Sequence, residues 1–398
     1  MLIPYIQLQL RKVTKMATFE CKVYELTIEE HPNADAIELA RVGDYLCIVG
    51  KGQFHTGDLG VYIPEAAIVP EWLLEEIGLA GKLAGKAKNR VKAMKLRGVV
   101  SQGLIYPVER DVPEKAINNA IKAEDIDGIS HHHVVRIGQD CTSILGIEKY
   151  EPPIPTSMSG EVFNAMGKTL HFDIENIKKY PDILEEGEEI SVTEKLHGTW
   201  CCMGYHPDVE ENAGRIVTSK GLSSRGLAFK FNEQNEKNLY VRMYNKLTNS
   251  IGQDIMERFC RLDLHHDKEP FYILGEVYGK GVQDLAYADT NEKAFRVFDI
   301  FVGEPTGGHY LATDEVKKIC QTLDIEVVPE LYSGPYTKET VEELTNGKET
   351  VSGKELHMRE GIVIRPSEER RDDLIGRVIL KSVSDAYLLR KGKTTEFN

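Results

Sequence analysis

Residues 188–205 read EEISVTEKLHGTWCCMGY. Ile190, Val192 and Thr193 have the spacing and residue types of a strand, and Glu194-Lys195-Leu196-His197-Gly198-Thr199 breaks it. Met in isolation, a Lys-x-His-Gly stretch is a surface lysine beside a hairpin turn. The order of the runs downstream changes that reading. Ser223-Ser224-Arg225-Gly226 comes first, then FYILGEVYG with Glu276, FRVFDIF with Phe298 and Asp299, EGIVIRP with Glu360, and VILKSVS with Lys381. From about Leu170 these strand-like runs alternate with polar helical stretches such as NEQNEKNLYVRMYNKLTNSIGQDIMERF, which predicts an α+β domain of antiparallel sheets with helices packed against them.

Working outward, the N-terminal third has a different texture. FECKVYELTI, IELARVGDYLCIVGKG and LGVYIPEAAIVP are short strands separated by HPNAD and GKGQFHTGD turns, the pattern of a small barrel. HPNADAIELARVGDYLCIVGKG resembles the opening strands of OB-fold domains that bind transfer RNA. The expected organisation is an OB-fold β-barrel within residues 1–110, with 1–15 as an extension and Met16 as an alternative start, then a linker over 111–165 and an α+β domain over 166–398. Pro152, Pro153 and Pro155 mark the end of the linker.

Composition limits the function classes. The 398 residues suggest two domains, and hydrophobic and charged contents of 41% and 28% are those of a soluble protein without a membrane span. MLIPYIQLQLRKVTK lacks the features of a secretory signal. The seven cysteines are scattered with no Cys-x-x-Cys pair, which points to a reducing intracellular compartment, cytoplasmic or nuclear, and to no structural zinc. His131-His132-His133 sit in a polar loop and, being consecutive, diverge too much for a good ligand set. The net charge of -14 argues against a non-specific nucleic-acid coat. Within it, however, KLAGKAKNRVKAMKLRG (82–98) holds seven cations and no acid: Lys82, Lys86, Lys88, Arg90, Lys92, Lys95 and Arg97. That arm is either a solvated loop or a rail for a phosphate backbone.

Taken together, the runs around Lys195, Arg225, Glu276, Phe298, Glu360 and Lys381 resemble, in order, the signature elements of the covalent nucleotidyltransferase superfamily of ATP-dependent ligases and capping enzymes. The Lys-x-His-Gly-Thr form, the Gly-Glu-x-Tyr-Gly element and the N-terminal OB barrel look like family-five RNA ligases. The resemblance implies that Lys195 is the nucleophile and that Glu194, His197, Gly198, Arg225, Glu276, Phe298 and Lys381 bind the nucleotide. Phe298 would stack on adenine, Arg225 and Glu276 would hold the ribose, Glu360 would bind Mg2+ or Mn2+, and Lys381 would reach the α-phosphate. His197 is either a turn-stabilising residue or a phosphate contact, and Asp299 is a support for this shell. One departure is visible. Where many members carry Lys-x-Lys, this chain has Ile379-Leu380-Lys381, which leaves the second phosphate contact open; Lys178 and Arg377 are read as structural surface cations, with a substitute for that lysine as the alternative role for either.

Chemistry supports the same roles. An amine can carry AMP as a labile phosphoramidate and so split a difficult joining step into easier ones. A free lysine, with pKa near 10.4, is mostly ammonium at neutral pH, so the site has to lower that value. A carboxylate such as Glu360 suits a hard cation, and there is no P-loop pattern. The expected protein is therefore a monomeric ATP- and Mg2+-dependent RNA ligase that joins 3′-hydroxyl and 5′-phosphate ends at duplex nicks, with Lys86, Lys88, Arg90, Lys92, Lys95 and Arg97 on the nucleic acid. The alternatives are a DNA-sealing or GTP-using enzyme of the same superfamily, disfavoured by the lack of an obvious OB domain after Lys381, and a non-catalytic nucleic-acid-binding protein.

Overall fold

The computed structural model describes residues 19–108, 136–252, 254–262, 269–288 and 292–390. Near the N-terminus, Val23–Glu25, Leu59–Ile63 and Leu104–Pro107 form one three-stranded antiparallel sheet, and Thr27–Glu30, Ile37–Val42 and Tyr45–Gly50 form a second. The central strand shows why both sheets close over apolar cores. Side chains alternate along a strand, so Val61 and Ile63 enter one cluster with Val23, Leu73 and Tyr106, while Tyr62 enters another with Leu26, Val42, Cys47 and Ile105.

Residues 111–135 of the expected linker, and with them His131-His132-His133, lie outside the described residues. The remainder of that stretch is not a free connection. Cys141, Leu145 and Ile147 complete the first core, and Glu148–Lys149 pairs with Ala67–Ile68. Met158 and Ala165 are buried in clusters of the second domain, where Val162–Asn164 pairs with Leu227–Phe229. The apolar spacing of Cys141, Leu145 and Ile147 was masked by the polar and proline-rich residues around it.

The second domain has two five-stranded sheets. The first runs Glu175–Asn176, Leu380–Val383, Gly361–Pro366, Glu189–Lys195, Glu330–Pro335; the second runs Arg215–Ser219, Thr199–Tyr205, Phe271–Gly279, Lys293–Val302, His309–Tyr310. Neighbours are antiparallel except Glu175–Asn176 beside Leu380–Lys381. The expected long helical stretch is two helices, Leu239–Ile251 and Ile255–Cys260. Asn238 caps the first by accepting from the backbone N–H of Tyr240 and Val241, and Gly252, at φ 69°, ends it in the left-handed conformation that glycine adopts at little cost. Its apolar face, with that of Thr313–Leu323, packs on the second sheet in the largest core.

The two domains touch through backbone. In the turn between Val42 and Tyr45, Gly43 has φ 55°, and a Cβ there would lie 2.5 Å from the carbonyl oxygen of Lys178. Asp44 N donates to that same oxygen at 2.8 Å, Lys178 Nζ donates to Gln102 Oε1 at 2.6 Å, and Lys338 pairs with Asp44 at 2.9 Å. Only glycine lets the chains meet this closely.

Candidate active site

The turn at Leu196-His197-Gly198 carries the chain from the end of Glu189–Lys195 in one sheet to the start of Thr199–Tyr205 in the other. Whatever the strand end presents therefore sits in the seam between the sheets. Pairing determines which side chains face it. Thr193 pairs with Val363 and Val363 with Lys381, so Thr193, Lys195, Val363 and Lys381 share one face. The opposite face sends Ile190, Val192, Ile362, Ile364 and Leu380 into an apolar core. Across the seam, Trp200 pairs with Glu276 on the facing side of the second sheet, and Phe298 projects from Lys293–Val302. These side chains line one pocket that is open to solvent, with Glu360 at its wall.

Seven of the eight expected catalytic and nucleotide-binding positions other than Lys195 meet Lys195 there: Glu194, His197, Gly198, Glu276, Phe298, Glu360 and Lys381. Lys195 Nζ donates to Glu360 Oε1. Glu276 lies close enough to both to feel them. Burial pushes its carboxyl up to about 8, with Lys195 opposing and the Glu360 charge reinforcing the rise. Glu194 has a different setting from its neighbour, as strand alternation requires: its Oε2 accepts from Thr350 N at 2.9 Å and Thr350 Oγ1 at 2.6 Å. Burial raises its carboxyl despite those donors. Gly198 is dictated by the protein itself, because a Cβ would lie 2.2 Å from the Val277 carbonyl oxygen.

His197 is held on all sides. Its Nδ1 lies 3.2 Å from Glu360 Oε2 and 2.9 Å from Tyr387 Oη, its Nε2 lies 2.6 Å from Asp284, and its backbone N–H donates to Tyr287 Oη at 2.6 Å. Arg390 in turn pairs with Asp284 at 3.0 Å and stacks over Tyr387 at 3.5 Å. Of the two readings, these contacts favour a residue that fixes the turn and the carboxylate beside it. Asp299, expected as a support for this shell, lines the pocket. It is fully buried and accepts from Arg365 at 2.9 Å and from Arg377 at 2.6 and 3.1 Å.

Three candidate positions lie outside the pocket wall. Arg225 is exposed and is absent from the pocket wall; the helical turn Lys220–Ser223 carries it away from the seam. Lys220, at the start of that turn, lines the pocket instead and pairs with Asp173 at 2.9 Å. Burial works to raise the Asp173 carboxyl, but Lys220 and Lys381 beside it outweigh that and hold it low. Neither substitute for the second lysine reaches the pocket. Arg377 is committed to Asp299 and Glu369 and lies 3.6 Å over the Tyr310 ring, and Lys178 spans the domain contact. Lys220 is thus a third pocket lysine beside Lys195 and Lys381, and no spacing in the sequence signalled it.

The basic arm divides. Lys86, Lys88, Lys95 and Arg97 are exposed, whereas Arg90 and Lys92 are half-buried. Met94–Leu96 and Val99–Ser101 form a hairpin turned by Arg97 and Gly98, at φ 50° and 93°, and Met94 and Leu96 also lie exposed on it. Elsewhere, His206, Asp208 and Glu304 approach one another as a cation site would, but the Lys168 ammonium fills the space, 3.1 Å from Glu304 and 3.3 Å from Asp208. All seven cysteines are free thiols, and no helix among the described residues is long and apolar enough to cross a membrane.

Residues 188–383 match the RNA ligase family model, and residues 22–108 match an OB-fold domain model. No curated protein matches the sequence at a significant level. Solved structures of a Naegleria gruberi RNA ligase share the fold. A lysine-to-alanine mutant with ATP and Mn aligns with a TM-score of 0.69 at 22% identity, covering 92% of this chain and 98% of that one. The same ligase with PPi aligns with a TM-score of 0.70 at 24% identity, covering 93% and 98%, and so does a lysine-to-methionine mutant with AMP and Mn. An OB-fold domain model over residues 22–108 thus precedes the RNA ligase family model over residues 188–383 in this chain.

Proposed function

We propose that this protein is an RNA ligase that uses ATP and a divalent cation to join 3′-hydroxyl and 5′-phosphate ends at nicks in a duplex, through AMP carried on Lys195. The observation that carries this reading is the convergence of Lys195, Glu360, Glu276, Phe298, Lys220 and Lys381 on one pocket between two sheets. The half-buried face of Phe298 offers a surface for a base. Glu276, neutral at pH 7 by burial, can donate to or accept from a ribose hydroxyl. Lys220 and Lys381, both near Asp173, place positive charge where phosphates would lie.

In the first step the Lys195 amine attacks the α-phosphorus of ATP. An N–P bond forms, the bond to the bridging oxygen breaks, and pyrophosphate leaves. Glu360 Oε1 is the hydrogen-bond acceptor already on Nζ and the nearest group to receive its proton. AMP then passes to a 5′-phosphate oxygen, returning the lysine, and a 3′-hydroxyl displaces AMP to make the phosphodiester. The residues fit a magnesium ion: the Glu360 carboxylate lies against Lys195 at the pocket wall, and Mg2+ is commonly held by one or two carboxylates together with substrate phosphates. Such an ion would offset phosphate charge and favour the neutral amine. The exposed Lys86, Lys88, Lys95 and Arg97 suit contact with backbone phosphates beyond the pocket.

The test is labelling with α-labelled ATP and, separately, α-labelled GTP in the presence of Mg2+. Denaturation-resistant label is expected from ATP alone, is lost in Lys195→Ala, and is strongly reduced in Glu360→Ala and Lys381→Ala at saturating ATP. Undiminished labelling of Lys195→Ala, or preference for GTP, would refute the assignment.

A further inference from the structure

A second cavity lies between the two domains. Its walls include Tyr24, Tyr45, Arg90, Lys92 and Tyr150 from the first domain and Lys179, Tyr387 and Leu388 from the second. Asp173, Ile174 and Lys381 line both this cleft and the nucleotide pocket. The cleft thus borders the pocket at the lysine expected to face the α-phosphate.

Its charges are unevenly matched. The carboxylates are already engaged: Asp173 pairs with Lys220 at 2.9 Å, Glu175 with Lys179 at 3.6 Å and Glu20 with Lys22 at 2.5 Å, while Glu65 accepts from Gln102 at 3.1 Å. Among the described residues, Arg90 and Lys92 from the basic arm form no ion pair. Arg90 lies 4.2 Å over the Tyr150 ring, and its Nε is buried without a hydrogen-bond acceptor. Burial first and then Arg90 and Arg390 nearby disfavour the Lys92 ammonium, and the weaker pull of Glu65 and Asp284 does not offset them. Cations brought together from two domains, with an orphaned guanidinium N–H among them, cost free energy until an anion joins them.

We propose that this cleft is the subsite for the polynucleotide strand bearing the 5′-phosphate, with Arg90 and Lys92 holding its terminal phosphates and leading the 5′ end past Lys381 to AMP on Lys195. The inference rests on the ligase reading above and extends it. That 5′-phosphate must reach the α-phosphorus from outside the nucleotide pocket, and the cleft reaches the rim of that pocket at Lys381. Tyr24, Tyr45 and Tyr150 add ring surfaces on which an unpaired base can stack. The cations whose side chains turn inward, Arg90 and Lys92, thereby have a role distinct from that of the exposed Lys86, Lys88, Lys95 and Arg97.

The test separates the partial reactions in the full-length protein. The probe is a nicked RNA duplex with a 5′-phosphate and a 3′-deoxy terminus, which stops the reaction after AMP transfer. In Arg90→Gln/Lys92→Gln, Lys195 labelling by ATP, which needs no polynucleotide, should stay within about twofold of wild type. AMP transfer to the 5′-phosphate should fall at least tenfold at subsaturating probe, and the salt dependence of probe binding should flatten by one to two units of slope. Lys92→Arg, which keeps the charge, should retain transfer. Normal AMP transfer in the double variant overturns the subsite. So does a variant that transfers AMP normally but fails only to close a nick with a natural 3′-hydroxyl, since the cleft would then hold the other strand. Failure of the wild-type protein to take up label would instead overturn the ligase reading itself.

Discussion

Asp299→Asn is a direct test of how the nucleotide pocket is braced. Asp299 is fully buried between Arg365 and Arg377, whose side chains are 7% and 8% exposed, and it accepts three charge-assisted hydrogen bonds at 2.6 to 3.1 Å. Asparagine keeps the volume but removes the charge, and its amide presents a donor to at least one guanidinium. Removing one partner of a buried pair costs about 3–5 kcal/mol. Arg377 retains Glu369 and the Tyr310 face, so the lower end, about 3 kcal/mol, applies here. For a cooperative unit of this size that corresponds to a fall in Tm of roughly 6–12 °C. The functional effect follows from Arg365, which also donates to the Phe298 carbonyl at 3.2 Å. A guanidinium that has lost its carboxylate no longer fixes the strand presenting Phe298, so KM for ATP in the adenylation step should rise more than kcat falls. Thermal unfolding and single-turnover labelling measure the two effects. Asp299→Asn/Arg365→Met removes both sides of one pair and should lose less stability than the sum of the single changes. A single variant within about 2 °C of wild type, or a fully additive double variant, would refute the reasoning.

Two further outcomes follow from the site. Lys220→Ala should slow adenylation of Lys195 by roughly 10²-fold, because it removes a pocket cation and leaves Asp173 uncompensated, whereas Arg225→Ala should change the rate less than about twofold; the reverse ranking in labelling assays would restore Arg225 to the site. Glu276 in the folded protein binds its proton more tightly than in the unfolded chain, so its contribution to stability is greatest below about pH 4.5 and is lost as pH rises towards about 8. The Tm advantage of Glu276→Gln over wild type in the absence of nucleotide should therefore grow between pH 5 and 8 and level off above, and a pH-independent difference would exclude the buried carboxyl as its cause.

How much of this site the sequence revealed depended on the range of the interaction. Lys195, Glu360 and Lys381 were legible because each lies at the end of, or within, a strand-forming run, and antiparallel pairing of adjacent strands brings such positions onto one face. Glu276 and Phe298 were legible for the same reason on the second sheet. Arg225 misled because Ser223-Ser224-Arg225-Gly226 lies in the right order along the chain, but order does not state on which side of a helical turn a residue emerges. Contacts made across the fold left no local trace. Asp299 meets Arg365 and Arg377 across 66 and 78 positions, and His197 meets Tyr387 across 190.

The same distinction bears on the one apparent defect in the motif set, the missing second lysine before Lys381. A Lys-x-Lys pair on a strand would place both ammonium groups on one face, and here the first of those positions is Ile379, which nevertheless lines the pocket. The positive charge is supplied from another direction. Lys220 enters from the second sheet, at the start of the turn after Arg215–Ser219, and is held against Asp173, which also feels Lys381. Asp173 thus couples two lysines from different sheets, and its neighbour Ile174 belongs to the wall shared with the interdomain cleft. Charge that one strand would carry in the resembling pattern is here distributed across the seam, where movement of the sheets relative to each other would change the separation of Lys220 and Lys381. The site therefore depends on the braces that hold the seam, Asp299 with its two arginines and His197 with Tyr387 and Asp284, as much as on the residues that face the nucleotide.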